Sequence, residues 1–231
     1  MMTKLDWENL NNKIINCRLC PRLVAWRETI ASQKRRMYLD WDYWGKPVPG
    51  FGDTKARLIV VGLAPGAHGS NRTGRMFTGD ASGDFLYAAL HRYGFANQPK
   101  SEGGDDGLRL RDIFITAVCR CAPPGNKPST EEIRNCLPFL EAEMDLIGRF
   151  QGIIALGQIA YTYILKLIKS RNDGVAIEDN KFSHGKMVIP QDGNTPWILA
   201  SYHPSRQNTQ TGRLTRPMFD EIWMKAIALL K

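Results

Sequence analysis

The sequence predicts an α/β fold of three layers, with helices covering both faces of a central, mostly parallel sheet. Four short apolar runs with little polar alternation are typical of strands buried on both faces; they are residues 57–63, 113–118, 152–156 and 197–201. Helical stretches separate these runs, and strands that alternate with helices favour a parallel sheet. The length of 231 residues suits one core, so we expect a single domain over residues 1–231.

The predicted helices follow the strands along the chain. Apolar residues recur at helical spacing over 84–93, 130–149, 158–169 and 216–230. Ser129 followed by Glu132 is the signature of a capping box at the start of the second helix. Pro138 lies inside that helix, and we expect it to kink the helix or to split off its first turns.

Composition indicates an intracellular protein with a polyanionic partner. The formal charge is +8, which suits nucleic acid because neutralised phosphates release counterions; a basic surface that serves only solubility is the alternative. No apolar run reaches the roughly 18–20 residues that span a bilayer, and the N-terminus lacks the pattern of a signal peptide. Five cysteines, an odd number, argue against a disulfide framework. We expect a soluble, cytoplasmic protein.

Four cysteines have the spacing of metal ligands. Cys17 and Cys20 form a C-x2-C pair, and Cys121 and Cys136 follow about a hundred residues later. Thiolates are the usual ligands of tetrahedral zinc and of iron–sulfur clusters. The residues alone therefore predict a metal centre without deciding between the two, and such a centre would tie the N-terminal segment to the middle of the chain.

The loop after the first predicted strand is rich in glycine and carries two candidate site residues. Residues 69–74 have the glycine spacing of a P-loop, but Arg75 and Met76 stand where a lysine and a hydroxyl residue are needed, which argues against nucleotide hydrolysis. Phe77 offers a ring to a flat ligand and Asp80 offers a carboxylate. The alternatives are core packing for Phe77 and a helix N-cap for Asp80, and each is favoured for that residue taken alone.

The loop after the fourth strand carries His203 and a polar run that ends at Arg213. A histidine at the end of a strand can donate a hydrogen bond to a developing anion or act in acid–base chemistry, and a structural histidine is the alternative. The glutamines, asparagine, threonines and arginines of the loop suit contacts with phosphates and base edges. His68, His91 and His184 have no metal spacing, so we interpret them as structural.

These motifs together resemble the iron–sulfur uracil-DNA glycosylases over nearly the whole chain, and in detail their type b branch, the fifth family. Leu63 stands where the type a enzymes have an acidic residue, and Ala117 stands where they have an asparagine that reads uracil. Both departures fit the broader base range associated with type b. The residues that carry the resemblance are Cys17-x2-Cys20, Gly62-Leu-Ala-Pro-Gly66, Phe77-Thr-Gly-Asp80, Arg120-Cys-Ala-Pro-Pro-Gly-Asn126, Cys136, His203-Pro-Ser205 and Asn208-Thr-Gln-Thr-Gly-Arg213.

The resemblance implies a monofunctional DNA repair glycosylase that flips the damaged nucleotide and hydrolyses its N-glycosidic bond. The substrate would be uracil, together with other deaminated bases such as hypoxanthine or xanthine. The catalytic residues would be Asp80, which orients the water, and His203, which stabilises the departing base, with Asn126 in support. The residues that bound the pocket or probe the space left by the flipped nucleotide would be Ala64, Pro65, Gly66, Phe77, Arg206, Gln207 and Asn208.

The resemblance also implies a [4Fe-4S] cluster on Cys17, Cys20, Cys121 and Cys136, with Cys119 left unpaired and directed away from Cys121 or sideways into the core. The expected partner is DNA, double-stranded and also single-stranded, and we expect a monomer that binds no membrane. One alternative is a non-catalytic nucleic-acid-binding protein stapled by a cluster or zinc. An electron-transfer protein is disfavoured, because no motif marks a site for a partner cofactor.

Overall fold

The computed structural model of the chain describes residues 4–172 and 181–230. Six strands in this part of the chain form one mixed sheet: β1 (Phe51–Gly52), β2 (Leu58–Gly62), β3 (Ile113–Ala117), β4 (Gly152–Leu156), β5 (Met187–Val188) and β6 (Trp197–Ser201). The strand order is β1-β3-β2-β4-β6-β5. The four inner strands are parallel, and the outer strands β1 and β5 pair antiparallel to them.

The four predicted strands are confirmed with bounds that shift by at most one residue. Every residue of β2, β3, β4 and β6 is buried, which is why these segments read as unbroken apolar runs. The sequence missed β1 and β5, because two residues are too few to show a period.

Eight α-helices accompany the sheet in the described residues. The four predicted ones are present as α4, α5, α6 and α8, and four more were missed because they are short or carry few buried residues. The helices are α1 (Lys4–Ile15), α2 (Pro21–Gln33), α3 (Ser70–Thr73), α4 (Ala81–Arg92), α5 (Thr130–Ile147), α6 (Gln158–Arg171), α7 (Arg206–Gln210) and α8 (Arg216–Leu229).

Helices pack on both faces of the sheet, as predicted. Successive strand residues point to opposite faces, so Leu58 and Val60 lie in the core formed with α4 and α8. Ile59 and Val61 lie in the second core, formed with α5 and α6. This division confirms the three-layer α/β/α fold. None of the helices described here is long and apolar enough to cross a membrane.

The start of α5 confirms the predicted capping box. The Ser129 side chain accepts the backbone N–H of Glu132 at 3.2 Å, and the Glu132 carboxylate accepts the N–H of Ser129 at 2.7 Å. α5 then runs unbroken through Pro138, so the proline does not split it. Buried Cys136 and Leu140 on either side of the proline hold this segment against the sheet, and such packing supplies most of a helix's stability.

Candidate active site and metal centre

The carboxyl ends of the parallel strands bring the predicted loops to one edge of the sheet. Gly62 at the end of β2 pairs with Ala117 at the end of β3, and Leu156 of β4 pairs with Ser201 of β6. The glycine-rich loop, the segment with the third cysteine and the His203 loop all leave from this edge. In open α/β sheets this edge is where ligands bind.

Phe77 is the most strained of the predicted site residues. Its φ is +53°, a left-handed conformation that a bulky side chain adopts only where its surroundings enforce it. The ring lies against Gly62, where an added Cβ would come within 2.8 Å of it. The ring also stacks on His203, with ring centroids 5.7 Å apart and planes 29° apart. The structure therefore brings Phe77 and His203 together from two distant loops.

Asp80 is the N-cap of α4. Its Oδ1 accepts the backbone N–H groups of Ser82 at 3.0 Å and Gly83 at 3.1 Å. Burial raises the pKa of the carboxyl group, while these two N–H donors and the charge of Arg72 act in the opposite direction. The N-cap interpretation is confirmed, and it is compatible with a site role because only one carboxylate oxygen serves the cap.

The other carboxylate oxygen of Asp80 faces the glycine-rich loop. A Cβ added to Gly69 would lie 2.1 Å from Oδ2, and one added to Gly66 would lie 2.8 Å from it. Cβ atoms essentially never approach an oxygen so closely, so a side chain at either position would force the Asp80 carboxylate or the loop backbone to shift. The resemblance named Gly66 as a pocket residue; the role of Gly69 was missed.

His203 is half-buried at the start of the loop that follows β6. Desolvation lowers the pKa of its imidazole to about 4, so the ring is neutral at pH 7. The amide of Asn208 donates to the main-chain oxygen of His203 at 2.9 Å and fixes the backbone there. A neutral imidazole can still donate one N–H to an oxygen of a bound base.

Arg72 is a site residue that sequence reasoning missed. Its guanidinium donates to the main-chain oxygens of His68 and Gly79, at 2.8 Å each. It also stacks on Tyr38 and Trp41, 3.9 Å from each ring centroid. These contacts hold the two ends of the segment 68–79, which leads directly into Asp80. The only signal in the sequence was a basic residue inside a glycine-rich loop.

The residues predicted to bound a pocket beside Phe77 carry few polar side chains. Ala117 is buried in the same core cluster as Phe77, and Pro65 is also buried. Leu63 and Ala64 are half-buried, and Ala64 packs against the opposite core. These four side chains therefore supply no hydrogen-bonding groups, which leaves the backbone and His203 as the polar groups beside the Phe77 ring.

The loop beyond His203 begins α7. Ser205 caps this short helix by accepting the N–H of Asn208 at 3.3 Å, and Arg206 and Gln207 are exposed at its first positions. Asn126 lies elsewhere, exposed in the turn Pro124–Asn126 with a φ of +57°. In the described part of the chain, its side chain makes no hydrogen bond to Asp80 or His203.

The four predicted ligand cysteines lie on three segments of the chain. Cys17 and Cys20 lie between α1 and α2, where Cys20 is the N-cap of α2. Cys121 follows β3, and Cys136 lies on α5. All five cysteines, including the buried Cys119, are free of disulfides. The thiol of Cys119 interacts directly with that of Cys136, so it lies beside the proposed ligands rather than apart from them.

The thiols are close enough to influence one another. Burial raises the pKa of Cys121 to about 12, with Arg27 opposing the rise and Cys136 and Cys17 adding to it. Burial also raises the pKa of Cys20, and Cys136 and Cys17 add to that rise. Within the described ranges, no three His, Cys, Asp or Glu side chains lie close enough to hold a single metal ion.

The geometry is that of an α/β protein whose sheet edge carries an aromatic ring stacked on a neutral histidine, with a buried carboxylate on a neighbouring loop. The family model of the Uracil DNA glycosylase superfamily matches residues 49–227. A type-5 uracil-DNA glycosylase of Mycobacterium leprae (strain TN) is 52% identical, covering 94% of this chain and 93% of its own. One of Thermus thermophilus is 51% identical, covering 96% and 97%.

A type-4 uracil-DNA glycosylase of Pyrobaculum aerophilum is more distant, at 31% identity over 87% of this chain and 84% of its own. The chain therefore belongs to the uracil-DNA glycosylase superfamily, and within it to the type-5 family. This membership favours the catalytic interpretation over a non-catalytic DNA-binding protein.

Proposed function

We propose that the chain excises uracil and at least one deaminated purine from DNA by base flipping, without cleaving the strand. Family membership supplies the first part, because the chain is a uracil-DNA glycosylase and acts in DNA repair. The wider base range, the residue roles and the cofactor are our proposal. The observation that carries it is the stacking of Phe77 on His203 at the edge of the sheet from which the loop with Asp80 also leaves.

Phe77 would stack on the flipped base, with the backbone of Ala64, Pro65 and Gly66 bounding the pocket. Extrusion costs a few kcal/mol of lost stacking and pairing. A ring that is already held in position, here by Gly62 and a strained backbone, loses no further freedom when the base arrives. The strain at Phe77 thus fits a preorganised stacking surface.

Asp80 would orient the hydrolytic water and stabilise the positive charge that develops on the sugar. The N–H groups at the start of α4 hold one oxygen of its carboxylate, so the group is fixed before substrate binds. A group that is already oriented needs no reorganisation during the reaction. The two loops that carry Asp80 and His203, residues 62–80 and 203–213, contain no lysine, which fits a monofunctional glycosylase.

His203 would donate a hydrogen bond to the departing base. Because its pKa is lowered to about 4, the neutral ring performs this role throughout the neutral range. His203 then stabilises the departing base through the dipole of a positioned N–H group and transfers no proton to it. The effect is electrostatic and acts on the negative charge that develops on the base.

Replacing His203 with alanine should reduce the single-turnover rate of uracil excision by about 10²–10³ while changing DNA affinity far less. The exposed His91 on α4 provides the matched histidine-to-alanine control. The wild-type rate should show no inflection near pH 6.5, since the imidazole stays neutral above about pH 5. An equal loss of affinity and rate, or a titration near pH 6.5, would contradict this role.

The base range follows from the walls of the pocket. Leu63 and Ala117 place apolar groups where the type a pocket is polar, and Ala117 is buried in the same core cluster as Phe77. Stacking and backbone contacts accept more than one base shape. Mispaired lesions should be favoured, because they cost less to unstack.

Duplexes that each carry one uracil, hypoxanthine or xanthine test this proposal, with abasic product revealed by alkali. We expect product from uracil and from at least one purine. Ala117→Asn should reduce purine excision at least tenfold and retain uracil, because it restores a polar reader at that position. Thermal melting of the variant shows whether a loss of activity is caused by misfolding. Excision confined to uracil in the wild type would show that the pocket is stricter than its walls suggest.

A [4Fe-4S] cluster is the group that we propose for the four cysteines. The donor set fits it: four free thiols from three segments interact with one another, and N–H donors from Arg27 and Asn135 point at two of the sulfurs. When bound, the cluster would cross-link the N-terminal segment to the middle of the domain that we propose for residues 1–231. We assign it no step in base excision.

The exposed start of α7 supplies the proposed DNA contact. Arg206, Gln207 and Asn208 would enter the space that the flipped nucleotide leaves, and Asn126 would support the substrate from its own turn. The charge of +8 would attract double-stranded and single-stranded DNA. We further propose that the enzyme acts as a monomer in the cytoplasm.

A further inference from the structure

Arg27 on α2 is a buried cation whose partner is a proposed ligand sulfur. Its side chain is 2% exposed. One guanidinium nitrogen donates to Sγ of Cys121 at 2.9 Å, and another donates to the main-chain oxygen of Cys17 at 3.2 Å. Arg27 thereby joins the first and second pairs of cysteines.

No nearby carboxylate balances this charge well. Among the described residues, the acidic group within 4 Å of Arg27 is Glu28, at 3.9 Å. Glu28 is itself half-exposed and is bound by Arg18 at 2.5 Å. Burying an arginine without an anionic partner is costly. A neutral thiol is a weak acceptor, whereas a thiolate that ligates iron is negatively charged and would be the anionic partner that the Arg27 guanidinium otherwise lacks.

We propose that Arg27 is a positioning residue for the [4Fe-4S] cluster. Its side chain holds the Cys121 sulfur in place and protects the cluster against oxidation. This inference rests on the cluster assigned in the proposed function. Asn135 is a second donor, with its amide 3.6 Å from Sγ of Cys20, but it carries no charge. Arg27 therefore supplies the electrostatic part of the effect.

The direction of the effect follows from charge. One-electron oxidation makes the cluster less negative, so a buried cation and N–H donors at its sulfurs favour the reduced state and raise the reduction potential. The backbone of Arg27 is held in turn, because its main-chain oxygen accepts the amide of the fully buried Asn71 at 3.3 Å. The cation therefore sits at a fixed distance from the sulfur.

The test compares Arg27→Met and Arg27→Lys with Arg18→Met in the iron-loaded protein. Arg27→Met removes the charge and the donors at similar length, whereas Arg27→Lys keeps the charge. Arg18→Met removes the same charge beside Cys17 from a side chain that is 63% exposed and donates to Glu28 rather than to sulfur. Ferricyanide takes one electron from each cluster and becomes ferrocyanide, and absorbance follows the oxidation.

Arg27→Met should raise the oxidised-to-reduced ratio about tenfold at a fixed ferricyanide-to-ferrocyanide ratio, which equals a fall of about 59 mV in potential. Iron loss to a chelator should accelerate about tenfold. Arg27→Lys should fall between Arg27→Met and wild type, and Arg18→Met should match wild type.

A wild-type potential and wild-type iron release in both Arg27 variants would overturn the inference while leaving the cluster intact. If Arg27→Met does not fold, the reduction potential and the rate of iron release of Arg27→Lys test the inference. A wild-type protein without iron would overturn the proposed cofactor and this inference together, so the two failures are distinguishable.

Discussion

Replacing Asp80 with asparagine is expected to lower the rate of uracil excision by a factor of about 10²–10⁴ while leaving the fold intact. Asparagine is as good an N-cap as aspartate, so it keeps the acceptor for the N–H groups of Ser82 and Gly83. It removes only the negative charge that would face the water and the developing sugar cation. Single-turnover excision, DNA affinity and thermal melting measured together separate the two roles of Asp80.

Two further variants complete that experiment. Asp80→Ala should lose activity to a similar extent and also about 1 kcal/mol of stability, because the cap is gone. Gly69→Ala should also lower the rate, because its Cβ would strike Oδ2 of Asp80 and because the backbone there (φ −99°, ψ −103°) lies outside the regions that alanine favours. Gly103→Ala is the matched control, where the nearest atom is 3.7 Å away. Full activity in Asp80→Asn would show that Asp80 serves only as the N-cap of α4 and has no catalytic role.

Replacing Cys121 or Cys136 with alanine is expected to abolish iron binding and to destabilise the whole domain. A covalent tie that closes a loop of about 100 residues is worth on the order of 4–5 kcal/mol in the chain-entropy treatment. In a protein of this size, this corresponds to a fall of roughly 10–20 °C in Tm. Iron analysis should give about four irons per wild-type chain, and the brown colour should bleach in both variants.

Cys119→Ala is the matched control for these variants. Cys119 is buried and its thiol contacts that of Cys136, but the resemblance leaves it outside the ligand set. We expect the variant to keep about four irons, with a stability loss limited to one small buried side chain. If Cys119→Ala lost its iron and Cys121→Ala retained it, Cys119 rather than Cys121 would be the ligand of the cluster. Stoichiometric zinc in a colourless wild type would reject the cluster.

The sheet could be predicted from the sequence because its inner strands are buried on both faces. Leu58–Gly62 and Trp197–Ser201 each form an unbroken apolar run for that reason. β1 and β5 have two residues each and carry no such pattern. They form by hydrogen bonding to the edges of the longer strands β3 and β6. α1 was missed for a related reason: only Leu10 and Ile14 are buried in it, so its periodicity is weak.

Within the site, the sequence supplied the residues whose chemical type marks them, such as Asp80, His203 and the spaced cysteines. It did not supply Arg72 or Arg27. A surface arginine and a buried arginine look alike in a sequence. Their roles depend on the rings, carbonyl oxygens and sulfur that the fold places around them.

The three-layer α/β fold and the resemblance to a family could be predicted from the sequence alone, because hydrophobic periodicity and motif spacing are local properties of the chain. Three contacts are seen only in the folded chain: Phe77 stacks on His203, Gly69 packs on Asp80, and Cys119 lies beside Cys136. Each of these is a contact whose distance and direction arise from strand register and helix packing, which no single segment encodes.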